Sequence, residues 1–198
     1  GGQRAVNLGG STGFEFFRPP LATGEENAEA REIKVIANVI EGGIASLGFV
    51  GCVDCMAANN TIVNPDNWVL RILQETTSSD GYEFAPARNG RFVNNLIYFD
   101  RSALSTTINV GANTEADSFI FQNNLWYAHD DPGRSRPTDL PAAESDGIYG
   151  QDPGLDASFA IAASSPATAA GADVSELVGD ITGRCYAARP SIGAFEAP

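Results

Sequence analysis

The stretch Val93-Asn94-Asn95-Leu96-Ile97-Tyr98-Phe99 sets an asparagine doublet at the head of a short apolar run, and it recurs along the chain. Close versions are Ala58-Asn59-Asn60-Thr61-Ile62-Val63 and Gln122-Asn123-Asn124-Leu125-Trp126-Tyr127, with a single-asparagine form at Ala37-Asn38-Val39-Ile40. An apolar strand, a bend and a second apolar strand, repeated every few tens of residues, mark a solenoid in which each coil buries its face on the next. Such a bend favours a residue that tolerates left-handed backbone, and stacked asparagine amides can hydrogen-bond from coil to coil as a ladder. Asn60, Asn95 and Asn124, with Asn38 beneath them, are therefore read as structural. Asn59-Asn60-Thr61 also matches the N-glycosylation sequon, but the ladder accounts for the same residues.

A second repeat runs out of phase with the first. Ala5-Val6-Asn7-Leu8-Gly9-Gly10-Ser11-Thr12 and Thr107-Ile108-Asn109-Val110-Gly111-Ala112-Asn113-Thr114 are close copies. Between them, Ile44 to Val50 and Val69 to Thr76 show the same in-out alternation, and Gly147-Ile148-Tyr149-Gly150 reads as a weaker fifth copy. Each coil then carries three strands, which predicts an all-β, three-sheet parallel β-helix of about five to seven coils with asparagine-ladder bends. Residues 33–50, 53–76, 91–114 and 119–150 read as successive coils, stacked about 4.8 Å apart. Residues 1–154 are the expected coils, and 155–198 the closing, capping segment of the same domain, because solenoid ends need covering.

With 198 residues, 43% of them hydrophobic, and 21 glycines, the chain can build one sizeable core. A net charge of −13 repels phosphate backbones and anionic lipids, which argues against nucleic acid as a partner. No apolar run approaches the roughly 20 residues needed to cross a bilayer. Gly1-Gly2-Gln3 shows neither an initiator methionine nor a signal-peptide pattern, so the expectation is a processed or trimmed product. A single lysine, Lys34, and three cysteines fit a secreted or cell-surface protein.

Alternation on the second repeat turns Val6, Leu8, Leu47, Leu70, Ile72, Ile108 and Val110 inward. The outward column becomes Asn7, Ser46, Arg71 and Asn109, joined by Tyr149. Beside it run Gly9, Gly48, Leu73 and Gly111, then Ser11, Val50, Glu75 and Asn113. Long loops, 17–31 with Arg18, 77–90 with Tyr82 and Phe84, and 128–146 with His129, leave the coils where they can border this sheet. A flat floor of small and hydrogen-bonding residues suits an extended sugar chain. Arg71 and Glu75 are the candidate catalytic residues; Asn7, Ser46, Asn109, Asn113, Tyr82, Arg18 and Tyr149 are the candidate substrate contacts. A hydrolase would need two carboxyls roughly 5 to 9.5 Å apart, and Glu75 with Asp80, Asp130 or Asp131 is the pairing considered.

Asp130 and Asp131 are also weak candidate calcium ligands, without an EF-hand pattern. Cys52-Val53-Asp54-Cys55 has CxxC spacing at a strand end, away from the helix a redox motif requires. The expected bridge is Cys52–Cys55, or one of these with Cys185. Trp68, Trp126, Tyr98 and Phe99 follow strand patterns and read as packing, whereas Tyr82 and Phe84 sit in a loop as stacking candidates.

With these residues in place, the three-sheet pattern with asparagine bends resembles the right-handed parallel β-helix proteins of the pectate-lyase-like superfamily over nearly the whole chain. The end, from Ser164-Ser165-Pro166 through Gly183-Arg184 to Pro190-Ser191-Ile192-Gly193-Ala194-Phe195-Glu196, resembles the closing segment of bacterial exported β-helix proteins with a choice-of-anchor C-terminal region. The resemblance implies a groove over one sheet that binds or cleaves polysaccharide. Lyases of the group combine an Arg or Lys base with calcium or a basic residue that neutralises the substrate carboxylate. Arg71 matches that base by type and sheet, while Lys34 falls by pattern in another sheet. The functional expectation is an extracellular, lyase-like or glycosidase-like carbohydrate-active protein. The alternative is a non-catalytic structural or adhesive solenoid, stacking through its N-terminal end on further coils, another subunit or itself.

Overall fold

The computed structural model describes residues 4–10 and 12–198. Among them there is no α-helix, only three single-turn 3₁₀ segments, and the strands fall mainly into parallel sheets. Among the described residues, no helix is long and apolar enough to cross a membrane. Sheet I contains Arg4–Gly9, Ala45–Val50, Trp68–Leu73 and Ile108–Val110. Sheet II contains Lys34–Ile36, Met56–Ala58, Arg91–Val93, Ile120–Gln122 and Glu144–Ser145. Sheet III contains Val39–Glu41, Thr61–Val63, Leu96–Phe99, Leu125–Ala128 and Ile148–Tyr149. The chain passes from sheet II to III to I in rotation, and each strand pairs in parallel with its counterpart one pass later. That rotation is compatible with a solenoid.

Register aligns like with like. On the core side of sheet I, Val6, Leu47, Leu70 and Ile108 form one row and Leu8, Phe49 and Ile72 another. Sheet III contributes Ile40, Ile62, Ile97 and Trp126, and sheet II Val35, Ala57, Phe92 and Phe121. These rows merge into one buried cluster. Short runs of β-branched and aromatic residues suit parallel strands buried on both faces.

Between sheets II and III lies the asparagine corner. The first residue of each doublet takes the left-handed conformation: Asn59, Asn94 and Asn123 have φ of 52°, 56° and 49°, as does Ala37 at 55° in the single-asparagine version. The second residue builds the ladder. Asn38 Nδ2 donates to Asn60 Oδ1 at 3.0 Å, Asn60 Nδ2 to Asn95 Oδ1 at 2.9 Å, and Asn95 Nδ2 to Asn124 Oδ1 at 3.1 Å. Each of these oxygens also accepts the backbone N–H of the asparagine one layer earlier. Each second Nδ2 hydrogen of Asn60, Asn95 and Asn124 goes to a main-chain oxygen, of Val35, Ala57 and Phe92 respectively.

The ladder ends on a carboxylate. Glu144 stands where a fifth asparagine would, accepting from Asn124 Nδ2 at 2.7 Å and its N–H at 3.2 Å, and on its other oxygen from Trp126 Nε1 and Tyr149 Oη, both at 2.9 Å. Glu144 and Tyr149 thus make the last core row polar. Leu140 and Ala142, from the preceding loop, pack against the core beside it. Tyr149 pairs with Trp126 in sheet III. This corrects the expectation that Gly147 to Gly150 is a fifth strand of sheet I, because the Asn-type corner at Asp146 leads into sheet III as the others do.

The C-terminal residues lie on outer faces. Ile161, Ala167 and Ile192 cover Leu96 and Leu125 of sheet III, and Val174 covers Met56, Ala58 and Val93 of sheet II. Between them, the first asparagines of the doublets hold this segment: Asn59 donates to Ser191 O, Asn94 to Ala172 O and Asn123 to Ala170 O, each at 2.9 Å. Asn59 is fully buried under Ser191, so the sequon it heads is closed to modification in the folded protein.

Asn95→Leu removes the four hydrogen bonds its side chain makes, from the Asn60 N–H and Nδ2 and to the Ala57 and Asn124 oxygens, at about 1–3 kcal/mol for each buried group left unmet. Chemical denaturation should therefore show a loss of about 3 kcal/mol or more, against less than about 1 kcal/mol for Asn38→Ala at the exposed end of the ladder. Equal small losses would contradict the ladder. Burial pushes the Glu144 carboxyl above its ordinary range, against hydrogen bonds from Asn124, Tyr149 and Trp126. Its stabilising effect is complete below the unfolded pKa and is lost as pH rises through the higher folded one. Relative to Glu144→Gln, the wild type should lose stability as pH rises from the ordinary carboxylate range through the higher folded value; a stability difference that ignores pH would contradict this.

Candidate functional site

On the outer face of sheet I, register places Asn7, Gly48, Arg71 and Asn109 in one row. Gly48 stands where Ser46 was expected. Ser46 lies one row earlier beside Val69 and is fully buried, its Oγ without a partner among the described residues. Arg71 Nε donates to Asn109 Oδ1 at 2.9 Å, and the guanidinium carbon sits 4.5 Å from the centre of the Trp68 ring. A guanidinium fixed by an amide on one side and an indole face on another is pre-oriented for a planar or hydroxylated ligand. Burial, then the neighbouring charge of Arg4, lowers the Arg71 pKa, and Glu75 opposes this.

Arg4 crosses the same row to reach Glu75, with Nη1 3.0 Å from Oε1. The crossing depends on glycine: a Cβ at Gly48 would stand 2.8 Å from Arg4 Cδ and 2.9 Å from Asn7 Oδ1. The face therefore gathers Arg4, Arg71, Glu75, Asn109, Asn7 and Trp68. Ser11, expected in a neighbouring column, lies outside the described residues. Asn113 is exposed in the turn after Ile108–Val110, with φ 58°.

Two of the three long loops meet at one end of sheet I. Glu26–Asn27 pairs with Tyr82–Phe84, and Arg88 Nη1 holds Glu26 at 3.0 Å. Phe14 meets Tyr82 edge-on with centroids 5.6 Å apart, and Phe17 lies 5.7 Å from Phe84. Tyr82 is thus engaged in packing between loops, and Phe84 is buried. Arg18 donates to the Glu15 and Phe17 carbonyls and lines a cavity of about 590 Å³ framed by residues of the 12–31 segment. Glu29 lines the same cavity, and its Oε2 is buried with no partner among the described residues. Burial raises the Glu29 pKa, the Thr76 side chain and Gly10 backbone pull it down, and the charge of Glu75 pushes it up again.

The third loop meets sheet I at its edge, where Asp139 Oδ2 accepts the Thr107 N–H at 2.6 Å and the Ile108 N–H at 3.3 Å. Tyr149, expected in the outward column, instead donates to Glu144 beneath the Arg136 guanidinium, in sheet III. Asp80 sits at the tip of the Ser78–Phe84 hairpin with φ 50°. Asp130 accepts the Arg101 and Ser102 N–H groups at 2.7 and 3.2 Å, and His129 Nε2 lies 3.0 Å from Asn64 Oδ1 while its ring stacks on Tyr98. Among the described residues, no hydrogen bond or ion pair joins any of these to Asn7, Arg71 or Asn109. Among the described residues, no group of three or more His, Cys, Asp or Glu side chains is placed to hold a metal ion. Lys34 belongs to sheet II, 3.7 Å from Glu176.

Arg4, Trp68 and Glu29 are the additions that pattern reading did not supply. Strict alternation turns Arg4 and Trp68 inward, but both stand at strand starts, where their side chains reach the outer face. Glu29 belongs to an acidic loop with no periodicity. No family model matches the chain, and no curated protein is found similar to it in sequence.

Cys52 and Cys55 are joined in a disulfide beside the buried strand end, while Cys185 is free and exposed. An alkylating reagent should add one label to the native protein, at Cys185, and reach all three cysteines only after reduction and unfolding. More than one label on the native protein would contradict the bridge.

Proposed function

We propose that this chain is an extracellular carbohydrate-active protein that holds an extended polysaccharide along the outer face of sheet I. The observation that carries this reading is the Asn7–Gly48–Arg71–Asn109 row, with Arg71 fixed between Asn109 and Trp68 and flanked by the Arg4–Glu75 ion pair. A sugar chain needs fixed donors and acceptors for its hydroxyls, a low floor for close approach, and an aromatic or planar face for its rings. This row offers fixed donors and acceptors and the planar guanidinium of Arg71, while Gly48 lies beneath Arg4 and Asn7. Along the row Asn7 is exposed and Arg71 and Asn109 are half-buried, and the joined loops wall one end.

The finer architecture belongs to the same proposal. We infer that the three sheets close into a right-handed parallel β-helix of the pectate-lyase-like kind, with residues 155–198 as its closing segment. The rotation of the chain through the sheets and the asparagine ladder support that reading. The disulfide at a strand end is in keeping with an oxidising, exported setting. A structural or adhesive role has one observation in its favour: among the described residues no donor reaches Asn38 Oδ1, so the ladder is open to a further layer at that end.

A panel of uronic-acid and neutral polysaccharides distinguishes the two. Binding is followed by affinity electrophoresis, and cleavage by reducing ends and by the ultraviolet absorbance of unsaturated products. Arg71→Ala should lower affinity or turnover about tenfold or more, the scale of a lost charged hydrogen bond, with the melting temperature unchanged. Silence across the panel, together with concentration-dependent assembly, would overturn the proposal in favour of the structural role.

A further inference from the structure

The loop from Thr12 to Arg31 is held at many points and yet does not fill itself. Within it, Asn27 Oδ1 accepts the Ala22 N–H at 2.9 Å and Nδ2 donates to the Ala22 carbonyl at 3.0 Å, while Arg18 Nη1 donates to the carbonyls of Glu15 and Phe17. Outside it, Asn27 Nδ2 also reaches Glu83 O at 3.0 Å, Arg88 holds Glu26, and Ala30–Arg31 pairs with Cys52–Val53. Phe17 is buried beside Phe84. Loops longer than about 12–15 residues with little secondary structure of their own are usually functional when they stay ordered. This one surrounds a cavity of about 590 Å³ whose lining residues all come from the same segment. The volume falls in the range of a small-molecule site.

The lining selects the guest by exclusion. Glu25, Glu26, Glu29, Arg18 and Arg31 share the wall, so both signs of charge are present and neither dominates. Charged groups in that number disfavour a purely apolar guest. Among the described residues no group of three or more His, Cys, Asp or Glu side chains is placed to hold a metal ion, and the net charge of −13 opposes phosphate. A small uncharged guest that both gives and takes hydrogen bonds is left. The apolar part of the wall consists of rings, those of Phe16, Pro19 and Pro20, and Phe16 is 68% exposed. A sugar ring meets both demands: its hydroxyls pair with carboxylates and guanidiniums, and its C–H face lies on an apolar ring. Glu29 adds a carboxyl oxygen that no donor among the described residues satisfies.

We infer that the 12–31 loop is a binding pocket for a neutral mono- or disaccharide, separate from the outer face of sheet I. Phe16 supplies the ring face at the rim, Glu25 and Glu29 accept from sugar hydroxyls, and Arg31 donates to them. The cavity shares no residue with the Asn7–Gly48–Arg71–Asn109 row, so the pocket does not rest on the polysaccharide reading of that row.

The test titrates the full chain calorimetrically with glucose, galactose, mannose, N-acetylglucosamine and their disaccharides, and with glucosamine and galacturonate as charged counterparts. At least one neutral sugar should bind, and more tightly than its charged counterpart. Phe16→Ala should weaken that binding about fivefold or more and Glu25→Gln about tenfold or more. Both residues are exposed, so the melting temperature should hold. Arg71→Ala should leave the small-sugar affinity unchanged, which separates this pocket from sheet I. In the wild type, without any substitution, the backbone amide signals of Phe16, Leu21, Ala22 and Ala28 should shift on addition of the bound sugar. Absence of neutral-sugar binding, tighter binding of a charged sugar, amide shifts confined to other parts of the chain, or unaltered affinity in both Phe16→Ala and Glu25→Gln would overturn the pocket. Loss of the small-sugar affinity in Arg71→Ala would overturn it too, by moving the binding to sheet I.

Discussion

A primary amide buried away from water has two N–H groups and an oxygen with two lone pairs to satisfy, and leaving them unmet costs more than making the bonds gains. In this protein that demand is met between layers. Asn60 and Asn95 each spend one Nδ2 hydrogen on the next asparagine and the other on a main-chain carbonyl, while the oxygen takes both the side-chain and backbone N–H of the asparagine one layer earlier. A shift of register by one residue would break every rung. The apolar rows of the sheets tolerate small displacements, but the amide column does not, so it fixes how each layer lies on the last. Glu144 brings the column to a close, its two oxygens taken up by Asn124, Trp126 and Tyr149.

The same corner organises the surface. Its left-handed residues project outward and hold the C-terminal residues against sheets II and III. Those two faces are thereby covered, and the outer face of sheet I is left to carry polar and charged residues. Its residues come from all four strands of that sheet, so a row assembled from Asn7, Arg71 and Asn109 spans more than a hundred positions of sequence yet occupies neighbouring strands. The candidate site thus depends on register, and register depends on the ladder.

The sequence was legible where a repeat made it so. The doublets located the corner, and the copies around Asn7 and Asn109 located a shared sheet, because identical environments on successive layers select identical residues. Legibility failed where the repeat lapsed. Ile148-Tyr149 resembles the second repeat in composition, but its place after an αL corner residue, Asp146, puts it in sheet III. Ser46 was placed beside Arg71 because alternation gives the face and not the row; strand pairing puts Gly48 there, where an absent side chain lets Arg4 reach Glu75. Tyr82 looked like an exposed platform because nothing in a loop sequence announces a partner as remote as Phe14. Glu29 lacked any pattern, since its significance comes from burial and from an oxygen without a partner, neither of which is written in spacing.

The most direct measurement is nuclear magnetic resonance of the asparagine side-chain amides. If the ladder stacks the layers, the Nδ2 protons of Asn60, Asn95 and Asn124 exchange slowly with solvent. Cross-peaks should then link the side chains of Asn60 and Asn95, which are 35 residues apart in sequence. Exchange at the rate of a free primary amide, with no contact between these side chains, would contradict the stacking and, with it, the face on which the proposed site is built.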